Sequence, residues 1–173
     1  MKYLVFGILL IFSISACKTV QKTRYNVADG KVEWIFLHLN DVYEIAPLGG
    51  GKLGGLARVA TLRKQLLTEN PNTFTVMAGD FLNPSLIGTL KHEGESIKGK
   101  QMVEVMNALG FDFVSFGNHE FDLDYPDLQK RIDESRFEWI ASNAFKTEGE
   151  GIQAFTRTKI RKRIIFLNTE FYI

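Results

Sequence analysis

The 173 residues, 45% apolar and 24% charged, have ordinary globular composition and leave room for one compact domain with its own core, not two. With 21 Lys and Arg against 20 Asp and Glu, the formal net charge is +1, so no sequence-wide field exists to hold a nucleic-acid polymer and any phosphate recognition must be local. A single cysteine excludes an internal disulfide.

The first segment pairs Lys2 with a largely apolar run over residues 3–14 and a small-residue exit, Ser15-Ala16-Cys17, which is the pattern of a secretion signal. The run is too short for a spanning helix, which needs roughly twenty residues. Ile14-Ser15-Ala16-Cys17 resembles the lipobox of bacterial lipoproteins. That resemblance implies lipidation of Cys17, a signal peptide over residues 1–17, and a membrane tether made by acyl chains rather than by insertion. Lys18 after the cysteine points by the same resemblance to the outer membrane of a bacterial cell envelope; an ordinary cleaved signal with a periplasmic product is the alternative. Residues 18–31 are polar, carry a turn signal at Asp29-Gly30 and read as a linker to a domain over residues 32–173.

Within that domain, residues 32–39 are strand-like and end in Asn40-Asp41. The glycine run Gly49-Gly50-Gly51-Lys52-Leu53-Gly54-Gly55 matches neither a P-loop nor a dinucleotide fingerprint and is expected to be a flexible lid or linker. A helix follows over residues 55–69, with Leu56, Val59, Ala60, Leu66 and Leu67 near one face and Asn70-Pro71 as its stop. The second strand, residues 74–78, ends in Gly79-Asp80. A second helix spans residues 101–109, closed by Gly110, and a third strand over residues 111–116 ends in Gly117-Asn118-His119. Pro126 starts a third helix that runs to about residue 134, before a strand at 137–141. Residues 156–160 and 164–167 flank Arg161-Lys162-Arg163 and suit a hairpin or successive edge strands with a solvated basic turn.

Strand, helix, strand, helix, strand predicts an α/β fold with a βαβαβ start and right-handed parallel crossovers. Spacings of 39 residues from Asp41 to Asp80 and 38 from Asp80 to Asn118 each hold one helical crossover, so the three loops should open at the same sheet edge, where such folds bind ligands. Two hard cations there could polarise a phosphoryl oxygen and supply hydroxide at neutral pH. Asp80 is the natural bridging carboxylate, Asp41 a terminal ligand of one ion and the Asn118 carbonyl oxygen a ligand of the other; such donors suit Mg, Mn or Ca, and with imidazole Zn or Fe. His119 fits a general acid, with Asp122 accepting its other N–H and fixing the tautomer. Helix capping is the bland reading of Asp41 and Asp80, and a left-handed turn that of Asn118. Glu120 reads as a supporting or turn residue, and His38 and His92 as structural or exposed.

Asn40-Asp41, Gly54-Gly55-Leu56-Ala57-Arg58, Ala78-Gly79-Asp80-Phe81 and Gly117-Asn118-His119-Glu120-Phe121-Asp122 together resemble the calcineurin-like metallophosphoesterases, in particular their 5′-nucleotidase/2′,3′-cyclic phosphodiesterase branch. The resemblance implies a two-sheet sandwich with flanking helices, two divalent ions bridged by Asp80, a His119–Asp122 dyad, and hydrolysis of nucleotide monoesters or cyclic diesters. It also exposes departures. Asp41-Val42-Tyr43 puts a phenol where the family has an imidazole ligand, so Tyr43 becomes a candidate metal ligand, or Glu44 substitutes for it. No histidine follows His119, whereas the family draws further metal ligands from later strands and stacks the base on a separate domain. Residues 32–173 are therefore expected to be the truncated N-terminal portion of the metallophosphoesterase sandwich, completed by a second polypeptide or catalytically inactive. The rival functions are a lipoprotein fragment that retains the motif by descent and a metal-free nucleotide- or sugar-binding module.

Overall fold

Short runs rich in Ile, Phe, Val and Thr, each followed by a helical pattern, build the sheet in the order in which they occur along the chain. The computed structural model describes residues 31–141, 143–148, 151–154, 164–166 and 169–171. Its elements are β1 (Ile35–Leu39), α1 (Leu56–Glu69), β2 (Thr73–Ala78), β3 (Lys91–His92), β4 (Glu95–Ser96), α2 (Lys100–Leu109), β5 (Phe113–Ser115), α3 (Tyr125–Glu134), β6 (Glu138–Trp139), β7 (Phe145–Glu148), β8 (Gly151–Ala154), β9 (Ile164–Phe166) and β10 (Thr169–Phe171). The expected α/β class and βαβαβ start are present.

β1, β2, β5 and β6 lie side by side in that order, all parallel. Because the order always steps the same way and crossovers are right-handed, α1, α2 and α3 belong on one face. The register agrees: Met77, Val114 and Trp139 share a face and are buried, together with Met102, Val103 and Met106 of α2 and Leu128 of α3. Fully burying each of these apolar side chains contributes roughly 1.5–3 kcal/mol. Phe81 and Trp139, with ring centroids 5.4 Å apart, close the core beneath the loops at the carboxyl ends of the strands. The opposite face carries an aromatic row: Trp34 and Phe36 stack on Phe74, which meets Phe113, and Phe36 remains 59% exposed.

The helix stops follow the sequence signals. Asn70 leaves α1 in an extended conformation, and its side chain donates to the Glu33 carbonyl and accepts from Asn72 N–H. Gly110 ends α2 at φ 80°, in the left-handed region glycine tolerates. β1 and β5 start later than expected for identifiable reasons. The Glu33 carbonyl is taken by the side chains of Asn70 and Asn72, so β1 starts at Ile35, and Phe111 N–H bonds back to Met106, so β5 starts at Phe113.

One expectation is revised. The glycine run is a pinned turn rather than a lid: Leu48 pairs with Leu53, and the Arg58 guanidinium donates to the carbonyls of Gly51 and Gly54. His92 is exposed, as expected, and sits in a two-residue strand, β3, paired with β4 through a turn in which Glu93 and Gly94 both have positive φ. β9 pairs with β10 and β7 with β8. Residues 156–160 and the basic turn Arg161-Lys162-Arg163 lie outside the described residues, as do residues 1–30 with the signal, Cys17 and most of the linker.

Candidate active site

Three of the four parallel strands deliver a polar loop to the same edge. Asp41 follows β1, Asp80 follows β2, and Asn118 and His119 follow β5. These strands are neighbours, so the loops come together: Asp41 N–H donates to the Gly79 carbonyl at 3.3 Å, and His119 N–H donates to Asp80 Oδ1 at 2.8 Å. The approach between the second and third loops is close enough to demand glycine on both sides. A Cβ at Gly79 would stand 2.2 Å from Gly117 N, and one at Gly117 would stand 2.2 Å from Asp80 Oδ1.

Asp41 and Asp80 hold positive φ, 54° and 59°, which turns each chain sharply as it leaves its strand. Among non-glycine residues Asp tolerates this region better than most, and such strain is concentrated at functional sites. Asp41 is further fixed by Asn40 Nδ2, 2.5 Å from Oδ2, and by the Tyr43 hydroxyl, which donates to Oδ1 at 3.1 Å. The Tyr43 ring meets the His119 ring edge-on with centroids 6.0 Å apart, linking the first loop to the third.

His119 Nδ1–H donates to Asp122 Oδ2 at 2.7 Å, and Asn83 Nδ2 donates to the same oxygen at 3.1 Å. Asp122 therefore fixes the imidazole tautomer and leaves Nε2 as the ring nitrogen free to exchange a proton. The pair polarises both partners. The hydrogen bond to Asp122 first, then the charges of Asp122, Asp80 and Glu120, raise the His119 pKa against the opposing effect of desolvation. The hydrogen bonds from His119 and then Asn83 lower that of Asp122. Desolvation, then the bond to Asp41, then the surrounding carboxylates push the Tyr43 phenol up to about 12, so it stands as a neutral donor to Asp41 and would join a ligand set only by losing that proton.

A family model described as calcineurin-like phosphoesterase matches residues 35–169. The chain belongs to that family. A snake venom 5′-nucleotidase of Gloydius brevicauda is 32% identical over 124 residues, 66% of this chain and 19% of the relative. The 5′-nucleotidase of Homo sapiens is 31% identical over 127 residues, 67% of this chain and 21% of the relative. The trifunctional nucleotide phosphoesterase protein YfkN of Bacillus subtilis is 34% identical over 102 residues, 56% of this chain and 7% of the relative. This chain thus spans about a fifth or less of the length of these curated relatives. In fold it resembles a putative 5′-nucleotidase from Staphylococcus aureus, with a TM-score of 0.52 and 21% identity over 68% of this chain and 26% of that one.

Calcineurin-like phosphoesterases generally use divalent metal ions. The three loops offer the carboxylates of Asp41 and Asp80 and the exposed amide of Asn118, all hard oxygen donors, and this chemistry fits a hard divalent ion. Among the described residues no group of three or more His, Cys, Asp and Glu gathers as a metal cage. His38 is exposed on β1. His92 lines a cavity of about 310 Å³, with Glu95, Gln101, Glu104 and Arg131, that shares no residue with the strand-end loops.

Sequence reading missed Asn83 and took Glu120 only as a supporting or turn residue. Asn83 has no motif to mark it, because its contact with Asp122 spans 39 positions. Glu120, adjacent to the dyad, is fully buried and bonds to the backbone of both the second and the third loop. The available signal was an acidic residue inside a turn that already carried Asp122, a hint of a buried role without an indication of its partners.

Proposed function

We propose that this chain carries the reacting face of a 5′-nucleotidase-type phosphoesterase, hydrolysing a nucleotide phosphomonoester or a cyclic phosphodiester. The observation that carries this reading is the His119–Asp122 hydrogen bond of 2.7 Å beside the Asp80 carboxylate, on loops contributed by adjacent parallel strands. In this reading Asp41, Asp80 and Asn118 would hold divalent metal ions through their side-chain oxygens. Bound there, the ions would neutralise phosphoryl charge and acidify water. The protein's own part is geometric and protonic. Asp122 holds Nδ1–H, the ring presents Nε2–H to the leaving oxygen, and as water attacks phosphorus in line the P–O ester bond breaks and that proton passes to the departing alcohol. Tyr43 keeps Asp41 oriented by donating to Oδ1, and serves as a ligand only if deprotonated. Lipidation at Cys17 would hold the domain at the bacterial envelope, most simply at the outer membrane. Ile14-Ser15-Ala16-Cys17 supports the lipidation and Lys18 the outer-membrane location.

A second reading is favoured by one observation, the neutral Tyr43 phenol that donates to Asp41 where the resemblance expects an imidazole ligand: a lipoprotein segment that keeps the motif by descent without turnover. One experiment separates the two. Purified full chain is analysed for metal content and assayed with AMP, 2′,3′-cyclic AMP and p-nitrophenyl phosphate. The phosphoesterase reading expects bound divalent metal and turnover, with His119→Ala lowering kcat on the order of 10²- to 10⁴-fold, the usual contribution of a positioned general acid. Metal-free, inert protein supports the second reading and overturns the first.

A further inference from the structure

Four main-chain N–H groups from two different loops converge on one side chain. Glu120 Oε2 accepts from Asp80 N–H at 2.8 Å and Gly117 N–H at 2.7 Å, while Oε1 accepts from Phe81 N–H at 2.9 Å and Leu82 N–H at 3.1 Å. The carboxyl-bearing side chain is 0% exposed, and Phe81 and Leu82 above it are buried as well. Positive φ at Gly79 and Asp80 turns the chain so that successive N–H groups from residue 80 to residue 82 face one concavity, the arrangement of an anion-binding nest. Here the nest is filled from within the chain, by a residue of the neighbouring loop.

We propose that Glu120 is a positioning residue: by tying the backbone after β2 to the backbone after β5, its carboxylate sets where the Asp80 carboxylate stands relative to the His119–Asp122 pair. The connection is short in both directions. Gly117 and Glu120 bracket Asn118 and His119, so anchoring these two ends holds the intervening turn, and His119 N–H in turn donates to Asp80 Oδ1. The chemistry demands glutamate. Glutamine would present one oxygen and one NH₂, leaving two of the four donors facing another donor. Aspartate keeps both oxygens but loses one methylene, about 1.5 Å of reach, and cannot serve both loops at once.

The contact is tested in the full parent chain, and its consequence for catalysis rests on the phosphoesterase reading above. Through-hydrogen-bond NMR couplings should connect the Glu120 carboxyl carbon to the amide nitrogens of Asp80, Phe81, Leu82 and Gly117. Glu120→Gln and Glu120→Asp should then keep helical content by circular dichroism and shift the His119 ring resonances. Both should lower Mn²⁺ affinity and kcat by about ten- to a hundredfold, the usual cost of losing a group that orients metal ligands, with KM within about twofold of the parent. Absent couplings overturn the assignment, as does a folded Glu120→Gln whose His119 resonances, Mn²⁺ affinity and kcat match the parent. If both variants unfold, the residue is a determinant of folding and the positioning role is overturned. A parent that binds no Mn²⁺ and turns over nothing sinks the phosphoesterase reading alone. The couplings and the His119 shift then still decide the role of Glu120.

Discussion

At Gly117 the demand for glycine comes from contact rather than from backbone dihedral. Its φ lies outside the left-handed region, but a methyl there would meet Asp80 Oδ1 at 2.2 Å and Asp80 N at 2.7 Å. Gly117→Ala is therefore expected to lower stability by roughly 1–3 kcal/mol, as overpacking does, and to displace Asp80. Urea unfolding and Mn²⁺ titration check it, and an unchanged midpoint with unchanged binding refutes the close approach. The same scale governs the pH response of the dyad. The His119 pKa lies above its ordinary 6.5, so its contribution to stability is complete below 6.5 and is lost as pH rises through the higher folded value. The Asp122 pKa lies below its ordinary 3.8, so its contribution is complete above 3.8 and is lost as pH falls through the lower folded value. In protein stripped of metal, the His119 ring should titrate above 6.5 by NMR, and Asp122→Asn should bring the midpoint down. A midpoint at or below 6.5 in the parent contradicts the hydrogen bond. Asp41 and Asp80 are the residue-level counterpart of this chemistry, since positive φ at a non-glycine residue costs on the order of 1–3 kcal/mol and persists only where surroundings enforce it.

Between elements, the joint between α1 and the sheet is polar as well as apolar. Asp112, just ahead of β5, accepts Thr75 N–H from β2 at 3.0 Å, while Arg63 of α1 donates through Nε to Thr75 Oγ1 at 3.0 Å and stands 4.0 Å from the Asp112 carboxylate. Thr75 is fully buried, so its N–H has no solvent alternative if Asp112 is removed. Asp112→Ala should cost about 1–3 kcal/mol by leaving that donor unpaired, and Asp112→Asn, which keeps an acceptor, should recover most of it. Equal urea midpoints for the two variants refute the assignment. The helices themselves were legible: α1 and α2 fall within a residue of the limits expected from apolar spacing, Asn70 and Gly110, because a 3.6-residue period and a stop residue are local properties. The β3–β4 hairpin was not legible. Two-residue strands carry no periodicity, and the turn is made by Glu93 and Gly94 inside a segment that reads as charged loop.

For the whole molecule, metal occupancy is expected to be coupled to folding. An ion that binds only the folded state stabilises it by RT ln(1 + [L]/Kd), about 2.7 kcal/mol at a hundredfold excess over Kd. Tm should therefore climb with the logarithm of Mn²⁺ concentration, fall back with chelator, and lose this dependence in Asp80→Asn; a Tm indifferent to Mn²⁺ in the parent refutes the linkage. By itself the sequence determined the strand–helix alternation, the parallel crossovers and the identity of Asp41, Asp80, Asn118, His119 and Asp122 as the polar ends of three strands, because alternation, helix stops and strand-end loops are written in neighbouring residues. Only the tertiary structure decided that Tyr43 donates to Asp41, that Asn83 shares Asp122 with His119, that Arg58 pins the glycine turn, and that Glu120 collects four N–H groups from two loops. Several of these pairings join residues nearly forty positions apart. Hydrogen bonds at that separation depend on how β2 and β5 sit side by side, a property of the assembled sheet.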